Sequence, residues 1–137
     1  MYIERNIEAY FIGYWFSGIS MQMAKCRNIT KWKYGWCFFE TFVISEVVKS
    51  YYNSGKPIDN LYYYRDIDTK EIDLLIVGAN CIYPIEIKKS KEPNKPDAHL
   101  SALDKFNVEI KPELVICMSE EIIPYNRKCY LVPVAVI

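Results

Sequence analysis

Residues 71–90, EIDLLIVGANCIYPIEIKKS, constrain the fold more than any other stretch of the chain. Two apolar runs flank Gly78-Ala79-Asn80, a turn signal, so they read as neighbouring strands of one hairpin. Side chains alternate between the faces of a strand. That rule places Glu71, Asp73, Leu75 and Val77 on one face and Ile72, Leu74 and Ile76 on the other. In the next strand Glu86 and Lys88 share a face, Ile85 and Ile87 point away, and Lys89 reads as a solvent residue. Charge inside an apolar hairpin is costly unless it is paired. A half-exposed sheet with polar residues on its wet face, Glu86 pairing with Lys88 along the strand, is the plainer reading of these charges.

The flanking sequence fills in a mixed domain. CFFETFVISEVVKSYYN (37–53) predicts a helix, ended by Asn53-Ser54-Gly55 with Pro57 beyond. LYYYRD (61–66) reads as a strand, so three closely connected strands form an antiparallel meander. Asp97 to Phe106 predicts a short helix, ELVICMS (113–119) a buried strand, and LVPVAVI (131–137) a last strand interrupted by Pro133. Upstream, Ile7 to Trp15 reads as a short helix and Lys25 to Lys33 as irregular. The order α, βββ, α, β, β implies an α/β or α+β domain, a mixed sheet flanked by helices.

On a helical wheel the 37–53 segment gathers Val43, Ile44, Val47, Val48 and Tyr51 into one arc, with Phe39 at its edge. Glu40 falls inside that arc, and Glu46 outside it on the solvated side. One reading of Glu40 is a carboxylate in the first turn offsetting the helix dipole, worth ~0.3–1 kcal/mol. The other is a core-facing acid that needs a partner.

Composition narrows the function classes. The chain has 137 residues, enough for one ordinary core, with 51% apolar and 25% charged residues. Lys plus Arg equal Asp plus Glu at 17 each, so nothing global draws it to nucleic acid or anionic membrane. Its five cysteines are widely spaced with no C-x-x-C pair, which suggests neither a zinc site nor a disulfide framework. No secretory signal is evident, and the apolar run Ala9 to Phe16 is too short to span a bilayer. A cytoplasmic protein is expected.

A core-facing helix acid, an acid near the start of a strand, and E-x-K across a turn together suit Mg²⁺. That ion takes hard oxygen ligands and is held by one or two carboxylates plus substrate phosphate. Asp73 and Glu86 would be the direct ligands, the Ile87 carbonyl would complete the shell, and Glu40 would reach the metal directly or through water. Lys88 would orient the attacking water or steady the charged phosphate.

The same residues carry a resemblance. GWCFFETFVISEVVKSYYNSG (35–55), LYYYRD, EIDLLI and YPIEIKKS (83–90) resemble a prokaryotic domain of unknown function that usually forms the C-terminal part of AAA+-type ATPases. That domain is similar to the PD-(D/E)xK, restriction-endonuclease-like nucleases. The likeness continues more loosely through DAHLSALDKF, ELVIC and LVPVAVI, while residues 16–34 depart from the pattern. It implies an αβββαβ core over residues 35–137, with 1–34 as an irregular or helical extension. It also implies Glu40, Asp73, Glu86 and Lys88 as catalytic residues, Mg²⁺ or Mn²⁺ as cofactor, and nucleic acid and an AAA+ ATPase domain, in cis or trans, as partners. The chain has no P-loop motif, so ATP hydrolysis by that route is excluded. The alternative is an inactive accessory module on the same fold, binding nucleic acid or a partner ATPase domain.

Other residues have plainer readings. His99 is expected to be satisfied and partly buried, and one or two of Tyr62, Tyr63 and Tyr64 to face the core. Arg65 is expected in a surface salt bridge. Lys88, Lys89, Lys91 and Lys95 form a mild basic lip, suited to a polyanion and equally to a solvated loop.

Overall fold

A computed structural model describes residues 7–11, 31–66, 70–94 and 99–137, the segments 7–11 and 31–37 by backbone alone. It is an α+β structure with, among the described residues, one α-helix, α1 (Lys31–Asn53), against a mixed sheet. The strands are β1 (Ile7–Phe11), β2 (Leu61–Asp66), β3 (Glu71–Val77), β4 (Cys81–Lys88), β5 (Glu109–Ile110), β6 (Glu113–Cys117), β7 (Ile123–Asn126) and β8 (Cys129–Pro133). They run in the order β1-β2-β3-β4-β6-β8-β7, and the two-residue β5 pairs with β4 off that path. The β1 to β4 half is antiparallel, as the meander predicts. β4 turns the sheet parallel, pairing with β6, which pairs in parallel with β8.

The predicted arc of α1 forms its buried face. Val43, Ile44 and Val48 pack on Leu61, Leu74, Ile85, Ile87 and Ile116, joined by Phe39, Val47 and Tyr51. On the opposite face of the sheet Tyr64, Ile72, Leu75 and Ile82 meet Ala102 and Leu103. The helix ends in a Schellman motif: Lys56 N–H donates to the Tyr51 carbonyl at 2.9 Å and Gly55 N–H to Tyr52 at 3.0 Å. Gly55 takes φ +68°, the left-handed conformation that such an end requires. The Lys56 ammonium then sits 5.8 Å from the Tyr51 ring centroid.

Several expectations change. The helix starts at Lys31, inside the stretch read as irregular, because one Gly at position 35 costs only about 1 kcal/mol in a long helix. Ile7–Phe11 is a strand and not a helix; it lies antiparallel along β2, where pairing outweighs local propensity. Residues 12–15 of that predicted helix lie outside the described residues. The helix predicted over Asp97–Phe106 is a single 3₁₀ turn, Leu100–Leu103, with positions 97 and 98 again outside the described residues. So short a segment is marginal as a helix, and His99 at its start makes no side-chain cap. The last strand begins at Cys129 and stops at Pro133, and Val134–Val136 form a 3₁₀ turn. No described helix is long and apolar enough to cross a membrane.

The strict alternation expected along β3 is also broken. Tyr62 faces Leu75 but Tyr64 faces Ile72, so β3 holds one extra residue around Asp73 and Leu74. This β-bulge moves Ile72 to the face of Leu75 and Val77, while Leu74 and Ile76 pack toward α1.

This packing predicts a sharp contrast. Leu74→Ala should lose ~2–5 kcal/mol in denaturant unfolding, because it opens a cavity under α1. Ile122→Ser, at an exposed apolar residue before β7, should change stability by no more than about 0.5 kcal/mol. Equal effects would show that the core is elsewhere.

Candidate functional site

The bulge coincides with a split in the sheet. The β3–β4 ladder runs from Val77↔Ile82 to Leu74↔Ile85 and goes no further, while β4 continues beside β6 through Lys88↔Cys117. Beyond Ile85, β4 therefore lacks a strand on its β3 side among the described residues. Asp73 fills the gap: the Ile87 N–H donates to Asp73 Oδ2 at 2.7 Å. A strand residue's N–H and C=O point to the same side, so the Ile87 carbonyl opens toward this notch too.

The notch gathers charge from three elements. Ile85 and Ile87 pack against α1, so alternation sends Glu86 and Lys88 to the other face. Glu86 is buried, with 3% of its surface exposed. Its Oε2 takes the Lys88 ammonium at 2.9 Å. Glu40 approaches from α1, partly buried and close enough to Asp73 and Lys88 for strong electrostatic interaction. It is the tenth residue of α1, well past the first turn, so the dipole reading of this carboxylate does not hold.

Protonation follows from crowding. Burial, then the Asp73 and Glu71 carboxylates, push Glu40 from 4.5 up to about 7 against the pull of Lys88. Burial and then Glu86 push Asp73 from 3.8 up to about 7, with Lys88 and the Ile87 N–H opposing. Burial also raises Glu86, less Lys88's opposing effect. Burial disfavours the Lys88 cation, but Glu86, Asp73 and Glu40 outweigh it and its pKa rises. One lysine does not neutralise three carboxylates.

The structure thus brings Glu40, Asp73, Glu86, Lys88 and the Ile87 backbone to one place. Their donors are hard oxygens, of the kind Mg²⁺ and Mn²⁺ take. Among the described residues, no three His, Cys, Asp or Glu side chains are already arranged around a point as a metal cage. Lys88 and the Ile87 N–H hold the carboxylates instead. Lys89 and Lys91 are exposed, with Lys91 paired to Glu120 at 2.9 Å, and Lys95 lies outside the described residues.

Arg65, the tyrosines of β2 and His99 lie around this set. Arg65 Nε pairs with Glu71 at 3.2 Å, the surface bridge expected of it. Tyr64 is fully buried and Tyr62 packs beside it, whereas Tyr63 lies near Glu71, where burial and that carboxylate raise its pKa. His99 is satisfied and partly buried as expected, with Nδ1 2.8 Å from the Glu71 carbonyl. It also stands 3.7 Å from Glu86 Oε1, a position that no spacing in the sequence signals.

A family model described as a domain of unknown function, DUF4143, matches residues 37–137. The chain belongs to the DUF4143 family. The matched region of this DUF4143 domain includes every member of the notch, from Glu40 to Lys88. No curated protein and no solved structure shows significant similarity to the chain.

The raised carboxyls set a sign for pH dependence. Glu40 and Asp73 bind protons in the folded state up to about 7, above their unfolded range. Stability is therefore greatest on the acid side of that window and is lost as pH rises through about 7. Thermal melts in chelator should show Tm falling from pH about 4.5 to about 7. The slope should flatten in Glu40→Gln/Asp73→Asn. A wild-type Tm that rises across the window would contradict the assignment.

Proposed function

We propose that this DUF4143 domain is a metal-dependent phosphodiesterase of PD-(D/E)xK type acting on nucleic acid, working as the C-terminal domain of an AAA+-type ATPase family protein. The observation that carries the reading is the under-neutralised notch. Glu40, Asp73 and Glu86 converge from a helix and two strands on a sheet split, with Lys88 as their one close cation among the described residues. A buried charge deficit of this kind destabilises a fold, and a divalent cation would relieve it.

Asp73, Glu86 and the Ile87 carbonyl would hold Mg²⁺ or Mn²⁺. The ion would supply positive charge to a phosphodiester and lower the pKa of water. The chain's own residues do the rest. Asp73 is kept in the notch by the Ile87 N–H and stands against the Glu86 carboxyl. Lys88 holds its proton and places an ammonium beside Glu86, where negative charge on a phosphate would grow. Glu40, protonated up to about 7, is a proton store facing the same notch. A cytoplasmic setting belongs to this reading, in keeping with Cys81, Cys117 and Cys129 standing outside any disulfide among the described residues.

A second reading keeps the fold without the reaction: an accessory module contacting nucleic acid or an ATPase domain. The Lys88–Glu86 pair at 2.9 Å favours it, since that lysine satisfies one of the carboxylates that would bind metal.

Cleavage separates the two. Purified protein with Mn²⁺ or Mg²⁺ should nick plasmid DNA, single-stranded DNA or RNA, and chelator should stop it. Lys88→Ala should lower the rate by about 10²-fold or more with the fold intact, as loss of a group acting on the developing charge does. Cleavage that survives both Lys88→Ala and Asp73→Asn would belong to a contaminant and defeat the reading.

A further inference from the structure

His99 is the chain's one histidine. It stands where the polypeptide returns to the sheet after the polar loop that follows β4. Its backbone is held from the far side: Ala102 N–H donates to the His99 carbonyl at 2.9 Å. Ala102 and Leu103 are buried among Tyr64 and Ile72, and the Tyr64 hydroxyl donates to the Ala102 carbonyl at 3.4 Å. From that fixed base the ring reaches across to both strands bordering the notch.

The contact with β3 determines the ring's chemistry. A carbonyl oxygen only accepts, so the nitrogen 2.8 Å from Glu71 O must be Nδ1–H. The neutral imidazole is then fixed with its proton on Nδ1. Glu86 Oε1 lies 3.7 Å from the same nitrogen, beyond hydrogen-bond length but within the field of its N–H dipole. Glu86 is thus pulled two ways, Oε2 toward Lys88 at 2.9 Å and Oε1 toward His99. Asp73 also shares a side-chain hydrogen bond with Glu86, so the imidazole is a second hold on that carboxylate; without it Oε1 is freer to turn toward Lys88 as well, which would close the carboxylate to a cation.

We propose that His99 is a positioning residue for Glu86: as the Nδ1–H tautomer it ties the returning chain to the Glu71 carbonyl and keeps Oε1 turned away from Lys88, available to a divalent cation. The proposal rests on the metal-dependent reading above. Groups that orient a metal-binding carboxylate typically account for about 10–100-fold in affinity.

Asn and Gln separate this role from plain packing. Asn places an amide N–H₂ where Nδ1–H stands, and Gln places it where Nε2 stands. Two measurements on the full chain decide. In metal-free, ¹⁵N-labelled protein at mildly alkaline pH, the lone imidazole should show Nδ1 protonated and Nε2 bare. In calorimetry with Mn²⁺ alone, His99→Gln should bind about 10-fold or more weakly than wild type, while His99→Asn stays close to it. Far-UV spectra and melts identify any variant that fails to fold, and then His99→Asn against wild type carries the comparison. A proton on Nε2, or equal Mn²⁺ affinity in wild type and His99→Gln, overturns the positioning role alone. Wild type that binds no Mn²⁺ overturns the metal-site reading, and this role with it.

Discussion

The site depends on one hydrogen bond, the Ile87 N–H donating to Asp73 Oδ2 at 2.7 Å. A central strand cannot leave its neighbour without stranding backbone donors, and buried donors must be satisfied. β3 leaves β4 after Leu74↔Ile85, and the Asp73 carboxylate takes over the bond that the strand relinquishes. The bulge around Asp73 and Leu74 makes this possible by changing which way β3 presents its residues. A sheet with unbroken β3–β4 pairing would have no notch there.

Everything charged nearby follows from that opening. Glu86 is buried on β4 because Ile85 and Ile87 take the α1 side, and Lys88 follows it onto the same face. Glu40 comes in from α1 because the arc that buries Val43, Ile44 and Val48 also contains it. Burial and mutual repulsion then raise Glu40 and Asp73 to about 7. Apolar residues of similar volume in this place would commonly leave a protein as stable or more so. The charges therefore contribute little to holding the fold together, and a binding or chemical role accounts for them better than stability does.

Much of this was readable from residue pattern. The wheel places Glu40 among core positions, and alternation separates Glu86 and Lys88 from Ile85 and Ile87 as found. The meander of β2, β3 and β4 follows from its turns. The bulge leaves no trace in the pattern, because an extra residue changes pairing without altering composition, and strict alternation therefore puts Ile72 on the wrong face. β7 carries no strand signal, since all its residues are exposed and Pro124 breaks the pattern. Ile7–Phe11 reads locally as helix because its strand form depends on a partner, β2, that is distant in sequence. His99 reached Glu86 only through the return of the chain, which no local spacing encodes.

The most direct test is calorimetric titration of Mn²⁺ into wild type and Asp73→Asn near neutral pH, in two buffers of different ionisation enthalpy. If the notch binds the cation, wild type should bind saturably, and its apparent enthalpy should differ between buffers as Glu40 and Asp73 give up protons held to about 7. Asp73→Asn should lose that binding. Equal binding by the two proteins, or none by either, would contradict a cation site in the notch.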